Sequence, residues 1–197
     1  RSIFCLILAA LLGLGLAFFC FQFVVDGGDW ASYPYNRHLY NNAGQLKGGT
    51  ILDRDGDMLS TLDEDGNRIY NDDATVRRAT LHAVGDKNGN IGAGALTSFA
   101  DKLSGYNLLT GVYSPLGTGN SLYLTIDAYL NNVAYQALNG MNGTVGVYNY
   151  KTGEILCMVS TPTFDPANPP DIAADDPAWD GVYVNRLLSA NSIPGSI

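Results

Sequence analysis

The sequence predicts an α+β protein built from an N-terminal transmembrane helix, a small mostly β module, and the first part of an α/β domain. Three observations carry that reading. Residues 3–25 form an apolar run with no charge and with Gln22 as its one strongly polar side chain. The stretch 26–118 is dense in Asp-Gly turn signals and poor in sustained periodicity. From Ser121 onward, strand and helix periods follow one another cleanly.

The apolar run is roughly 23 residues long, and about 20 suffice to span a bilayer. A secretory signal has a shorter apolar region, about 7 to 15 residues, followed by a small-residue cleavage site. Phe18, Phe19 and Phe21 stand where that site belongs, so the run reads as an uncleaved anchor. Arg1 precedes it, and Asp26 and Asp29 follow. This bias places the N-terminus in the cytoplasm and the bulk of the chain outside the cell membrane, which it crosses once.

The 19 acidic residues outnumber the 11 basic ones, giving a net charge of -8. Scattered Lys and Arg at that balance do not neutralise a run of phosphates, which excludes nucleic-acid binding. Cys5 and Cys20 lie in the apolar run and Cys157 stands alone, so the exterior part has no disulfide pair.

In the module, Gly49-Thr50-Ile51-Leu52-Asp53-Arg54 and Asp57-Met58-Leu59-Ser60-Thr61-Leu62 predict two short strands joined at Asp55-Gly56. Asp65-Gly66 repeats the device before Arg68-Ile69-Tyr70. Leu96, Phe99, Ala100 and Leu103 at helical spacing predict a short helix over 95–103, with Gly105 as its stop. Asp53, Asp55, Asp57 and Glu64 fall at positions 1, 3, 5 and 12 of a calcium loop. The sixth position, which requires glycine, holds Met58. The segment 86–90 has Thr97 at its twelfth place, and both segments read as solvated turns rather than metal sites.

Ser121-Leu122-Tyr123-Leu124-Thr125 predicts a strand. Leu130, Val133, Ala134, Ala137 and Leu138 then predict a helix that Thr125 or Asp127 caps and Gly140 ends. Strands follow over 143–150 and 154–160 around the turn Lys151-Thr152-Gly153. Five prolines between 161 and 181 exclude regular structure there.

These words occur in a particular order: an anchor, Gly49-Thr50-Ile51-Leu52-Asp53-Arg54-Asp55-Gly56, Leu124-Thr125-Ile126-Asp127, Lys151-Thr152-Gly153-Glu154-Ile155-Leu156-Cys157-Met158-Val159-Ser160, Phe164-Asp165-Pro166, Asn185-Arg186 and Pro194-Gly195-Ser196. In that order the chain resembles the class B penicillin-binding proteins, the single-anchor peptidoglycan transpeptidases. No glycosyltransferase-like region stands between anchor and transpeptidase segment, which separates it from the bifunctional class A proteins. The resemblance implies an anchor over 1–25, a non-catalytic module over 26–118, and the start of a penicillin-binding transpeptidase domain over 119–197. It implies as partners the D-Ala-D-Ala stem peptide, β-lactams, the membrane and other cell-wall-synthesis or division proteins, with no cofactor and no metal.

Acyl transfer needs a hydroxyl nucleophile, a base and donors for the oxyanion. By resemblance Ser196 is the nucleophile of a Ser-x-x-Lys motif, in which one helical turn brings serine and lysine to the same cleft. Taken alone, a serine after Pro-Gly reads as a helix N-cap; the upstream motif order makes it catalytic. The lysine position lies beyond Ile197, so the 197 residues read as a truncated transpeptidase that is inert on its own. Lys151-Thr152-Gly153 and Ser189-Ala190-Asn191 match later family motifs in letters but precede the nucleophile. They read as a turn and as a loop or helix end. Asn185 and Arg186 take a supporting role at most.

The chain departs from the family at Gly48-Gly49, where Arg-Gly is usual, and at Gly94-Ala95-Leu96, where an acidic residue often follows. Those departures bear on the packing of the module, not on acylation. A non-enzymatic scaffold or pseudoenzyme is the alternative reading, and a β-lactam sensor or serine β-lactamase the third. A lysine three residues after Ser196 discriminates the first two.

Overall fold

A computed structural model describes residues 2–32, 48–105, 119–173 and 175–189. Helix α1 spans Ser2–Ser32, seven residues beyond the apolar run, and is apolar on all sides over residues 3–21. Its segment Ser2–Gly27 is long and apolar enough to cross a membrane, with a mean hydropathy of 2.8 over its most apolar window and none of that window buried in the protein.

The module forms a sheet from β1 (Thr50–Leu52), β2 (Met58–Leu62) and β3 (Arg68–Tyr70), joined by the two expected tight turns. The turns share one construction. Asp53 Oδ1 accepts from the amides of Asp55 and Asp57, both at 2.9 Å, and Asp63 Oδ1 accepts from Asp65 and Asn67 at 3.0 and 2.7 Å. A carboxylate that gathers amides closes the loop while Gly56 and Gly66 supply the positive φ it needs, 94° and 80°. The calcium-like spacing therefore serves the backbone. The reading of these turns as solvated is corrected in part: Asp53 and Asp86 are 2% and 4% exposed and act as buried hydrogen-bond centres.

Strand β4, Ser121–Tyr123, completes this sheet in the order β3-β2-β1-β4 and runs parallel to β1, with Ile51 opposite Leu122. Helix α5, Ala128–Leu138, follows. Asp127 is its cap, its carboxylate accepting from Leu130 N at 2.9 Å, whereas Thr125 donates to Ile155 O. Asp53 reaches the same place, with Oδ2 3.2 Å from Ala128 N. The Leu-Asp-Arg-Asp-Gly and Leu-Thr-Ile-Asp words are thus in direct contact, joined also by Leu124 N to Leu52 O and Arg54 N to Ile126 O.

The sequence reading passed over helix α2, Ala74–Val84, whose start is capped by Asp73 and whose last turn is closed by Gly85 N to Leu81 O at 2.7 Å. It packs against α5, β2 and the long strand β6, Ile155–Thr161. The expected helix over 95–103 is two short ones, α3 (Ala95–Ser98) and α4 (Ala100–Ser104), parted at Phe99 and stopped by Gly105 as expected. Strand β5, Gly143–Tyr148, pairs antiparallel with β6 around the Lys151-Thr152-Gly153 turn. One apolar cluster joins Ile51, Leu59, Val84, Leu96 and Leu103; a second joins Leu81, Ile91, Phe164 and Val182. Since α2 contributes to both, it ties the module to α5 and to the loop around Phe164 and Val182.

Candidate functional site

Beyond β6 the chain makes a long excursion through Phe164-Asp165-Pro166, forms one 3-10 turn at Pro177–Trp179, and returns as α6, Arg186–Ser189. Ser196 lies outside the described residues, as do Ala190 and Asn191. What the structure describes is the seat from which the chain departs toward Ser196.

Two arginines fix that excursion. Arg77 of α2 forms a forked ion pair with Asp165: Nε to Oδ1 and Nη2 to Oδ2 are both 2.7 Å. Its Nη1 donates to Asn71 O and Asp72 O at 2.8 and 2.9 Å, so the fork is aimed by the turn before α2. The guanidinium holds the Asp165 carboxyl below its ordinary range, chiefly by hydrogen bonding, and Asp165 in turn raises Arg77. A planar fork meeting a carboxylate this way is an interaction lysine cannot reproduce.

Arg186 closes the other end. Its amide donates to Ser160 Oγ at 3.0 Å, its Nε to Thr161 O at 2.8 Å and its Nη2 to Asp180 O at 2.9 Å. Asn185, 1% exposed, caps α6 through Oδ1, which accepts from Leu187 N. Its Nδ2 donates to His82 O and to Met158 Sδ, both at 3.3 Å. The Asn-Arg pair thus bridges α2, β6 and α6, a positioning role that suits the supporting one expected of it.

His82, 1% exposed, faces the same junction, with Nε2 2.8 Å from Val182 O. Burial is the main cause of its lowered pKa, and the nearby Arg186 cation adds to the effect. Because Val182 O can only accept, Nε2 is the donor in this bond, which pins the returning loop. Asn131 is fully buried on α5; Nδ2 reaches Asp127 O at 2.6 Å and Oδ1 accepts from Met158 N at 3.0 Å, fixing α5 to β6. An open groove of about 620 Å³ runs between β4 and β6, lined by Tyr123, Ile126, Ile155, Met158 and Leu188 among others.

Sequence reasoning singled out Asn185 and Arg186 but gave no role to Arg77, His82 or Asn131. For Asn131 the available signal was an amide within a helical period; Arg77 and His82 lie on a helix the sequence did not reveal, and only the fold shows what each one faces. The Lys151-Thr152-Gly153 turn is exposed and closed by Gly153 N to Asn149 O at 2.7 Å. Ser189 is the last residue of α6.

No family model matches the chain. Over 84 residues, 40% of its length, it is 48% identical to the peptidoglycan D,D-transpeptidase MrdA of Acinetobacter baumannii, of which this covers 12%. Over 51 residues, 26% of its length, it is 41% identical to the MrdA of Haemophilus influenzae, covering 8%. The fold matches a solved D,D-transpeptidase domain of a peptidoglycan glycosyltransferase from Eggerthella lenta with a TM-score of 0.50 and 29% identity. That match covers 71% of this chain and 32% of the solved one. The chain therefore spans 12% and 8% of the curated relatives it matches. In sequence and in fold the chain is thus similar to peptidoglycan D,D-transpeptidases, the activity of the family its motif order resembles.

Proposed function

We propose that the chain supplies the membrane anchor (1–25), the non-catalytic module (26–118) and the opening part of the catalytic domain (119–197) of a serine D,D-transpeptidase that cross-links peptidoglycan. The 48% identity to a peptidoglycan D,D-transpeptidase is the observation that carries this reading. In the reaction, Ser196 Oγ attacks the carbonyl carbon of the penultimate D-Ala. The peptide bond to the terminal D-Ala breaks, that residue leaves as a free amino acid carrying the transferred proton, and an ester on Ser196 remains. An amine from a neighbouring stem peptide then displaces the serine and forms the cross-link. A β-lactam enters the same path, its ring amide opening onto Ser196 to leave a stable ester.

The apolar α1 favours a single crossing with its N-terminus in the cytoplasm and the remainder outside the cell membrane. The test labels the protein from its full reading frame with a fluorescent penicillin and maps the adduct by mass spectrometry. A single adduct on Ser196, abolished by Ser196→Ala, is expected. Absence of labelling, or an adduct on another serine, would overturn the assignment. A phosphatase fused after residue 120 is expected to be active only if that position lies outside the membrane.

A further inference from the structure

Helix α1 does not stop where its apolar run stops. It continues unbroken to Ser32, past Val25, and it packs against α4. Residues 2–21 of α1 are exposed, and among 22–27 only Gln22, Asp26 and Gly27 are not: the first two are half-buried and Gly27 is buried. Positions 22 and 26 share one helix face, so this short stripe is where the helix meets the module. Glycine at 27 lets a neighbouring backbone come close.

The helix it meets is fastened to the sheet through backbone. Leu103 of α4 is fully buried, its carbonyl accepts from Asn120 N at 3.0 Å, and Asn120 Nδ2 donates to Lys102 O at 2.9 Å. A methyl group at Gly119 would lie 2.2 Å from both Leu103 O and Gly49 N, backbone atoms that cannot turn aside. Arg68, 5% exposed, donates to Gly48 O and Gly49 O at 2.7 Å each. The end of α4 and the starts of β1 and β4 are therefore knotted together, and whatever fixes α4 fixes the sheet.

A bilayer has a hydrocarbon core about 30 Å thick within about 40–45 Å overall, which leaves a headgroup layer of roughly 5–8 Å on each face. At about 1.5 Å per residue, Gln22 to Gly27 covers roughly 7.5 Å along the helix. The apolar run ends within that stretch, at Val25. We infer that α4 rests in the phospholipid headgroup layer, so that the module is seated on the membrane surface in one orientation rather than tethered above it. This inference rests on the proposed reading of α1 as a membrane span. Lys102, exposed on α4, places a cation at the level of the lipid phosphates.

The experiment uses the full chain in vesicles of phosphatidylethanolamine and phosphatidylglycerol doped with a lipid carrying a nitroxide on its headgroup. Cys5 and Cys20 are replaced by serine, and Cys157 is buried. A bimane label at Lys102→Cys is compared with one at Asp55→Cys, an exposed position in the turn at the far end of β1 from Gly49. Because the headgroup layer is so thin, the label at 102 is expected to be quenched at least about threefold more strongly. Equal quenching, in a chain that stays in the vesicles after alkaline extraction, overturns the seat and leaves the anchor standing. Release of the chain by alkaline extraction overturns the anchor, and the seat with it. Gly27→Leu puts a bulky side chain at the buried point of contact and is expected to at least halve the ratio, with the urea midpoint of the module unchanged. An unchanged ratio in G27L overturns the claim that the α1-α4 contact sets the orientation.

Discussion

Replacing Arg77 by alanine isolates the contact that holds residue 165 to a helix 88 positions earlier in the chain. The side chain gives four hydrogen bonds, two of them to a carboxylate and all between 2.7 and 2.9 Å. Asp165 is left with one described donor, the amide of Ala167 at 3.0 Å, in a position where the pair is only 13% and 10% exposed. Breaking one side of a buried ion pair costs about 3–5 kcal/mol. The pair is covered but shallow, close to the outer surface of the fold, so the lower end applies, about 3 kcal/mol. At roughly 2–4 °C per kcal/mol for a chain of this size, the midpoint is expected to fall by about 6–12 °C. Asp165→Asn keeps the shape and one acceptor, and is expected to cost about half as much, roughly 1.5 kcal/mol. Trp179 packs against the Leu81, Ile91, Phe164 and Val182 cluster, so its fluorescence reports the loop directly. In a Trp30→Phe background, urea unfolding followed by that signal, with a double-mutant cycle across R77A and D165A, is expected to give a coupling of about 2 kcal/mol. A loss below about 1 kcal/mol for R77A, or a coupling near zero, would refute the view that this pair locks the excursion to α2.

Acid should weaken the fold in two steps. Because His82 has a lowered pKa when folded, the unfolded chain takes up its proton first; stability is expected to fall as pH drops below the ordinary 6.5, and His82→Gln should flatten that limb. Asp165, also lowered, stabilises fully above the ordinary carboxylate value of 3.8 and loses that contribution as pH falls through its folded value, a step absent in D165N. Gly49→Ala is expected to unfold the module, because Gly49 has φ of 82° and its methyl would fall 2.6 Å from Leu103 Cδ2 and 2.9 Å from Leu103 O; thermal melts should show a loss of at least about 3 kcal/mol. Asn131→Leu deletes a fully buried amide that bonds three backbone groups and should cost about 2–4 kcal/mol in urea, with the β5-β6 amides losing exchange protection. Cys157, fully buried and with its thiol pKa raised by burial, is expected to resist iodoacetamide until the chain unfolds, whereas labelling at the native rate of a free thiol would contradict its placement.

Local chemistry determined much of the architecture. The two Asp-Gly turns, the capped start of α5 at Asp127 and the β5-β6 hairpin each depend on neighbours within a few residues and stand where the sequence alone puts them, while the apolar α1 runs on past residue 25 to Ser32. Helix α2 was not legible. Its buried face is made of Ala79, Thr80, His82 and Ala83 as well as Leu81 and Val84, so the hydrophobic period that marks a surface helix is diluted by small and polar residues. Such a face is buried because partners come to it from α5 and β6, contacts between residues far apart in the chain. The break at Phe99 has the same origin, since the apolar spacing over 95–103 runs straight through it.

The order of motifs by itself pointed to a family and made Ser196 the candidate nucleophile, because motif order is a property of the chain. What only the tertiary structure decided is what those motifs do for one another. Asp53 reaches the amide of Ala128, Arg77 forks onto Asp165, and Asn185 links His82 to Met158. Leu187 occupies the space left by Gly146. Each is a meeting of groups 27 to 103 positions apart in the chain. Hydrogen bonds and close packing act over a few ångströms of space regardless of separation along the chain, and no local period records them.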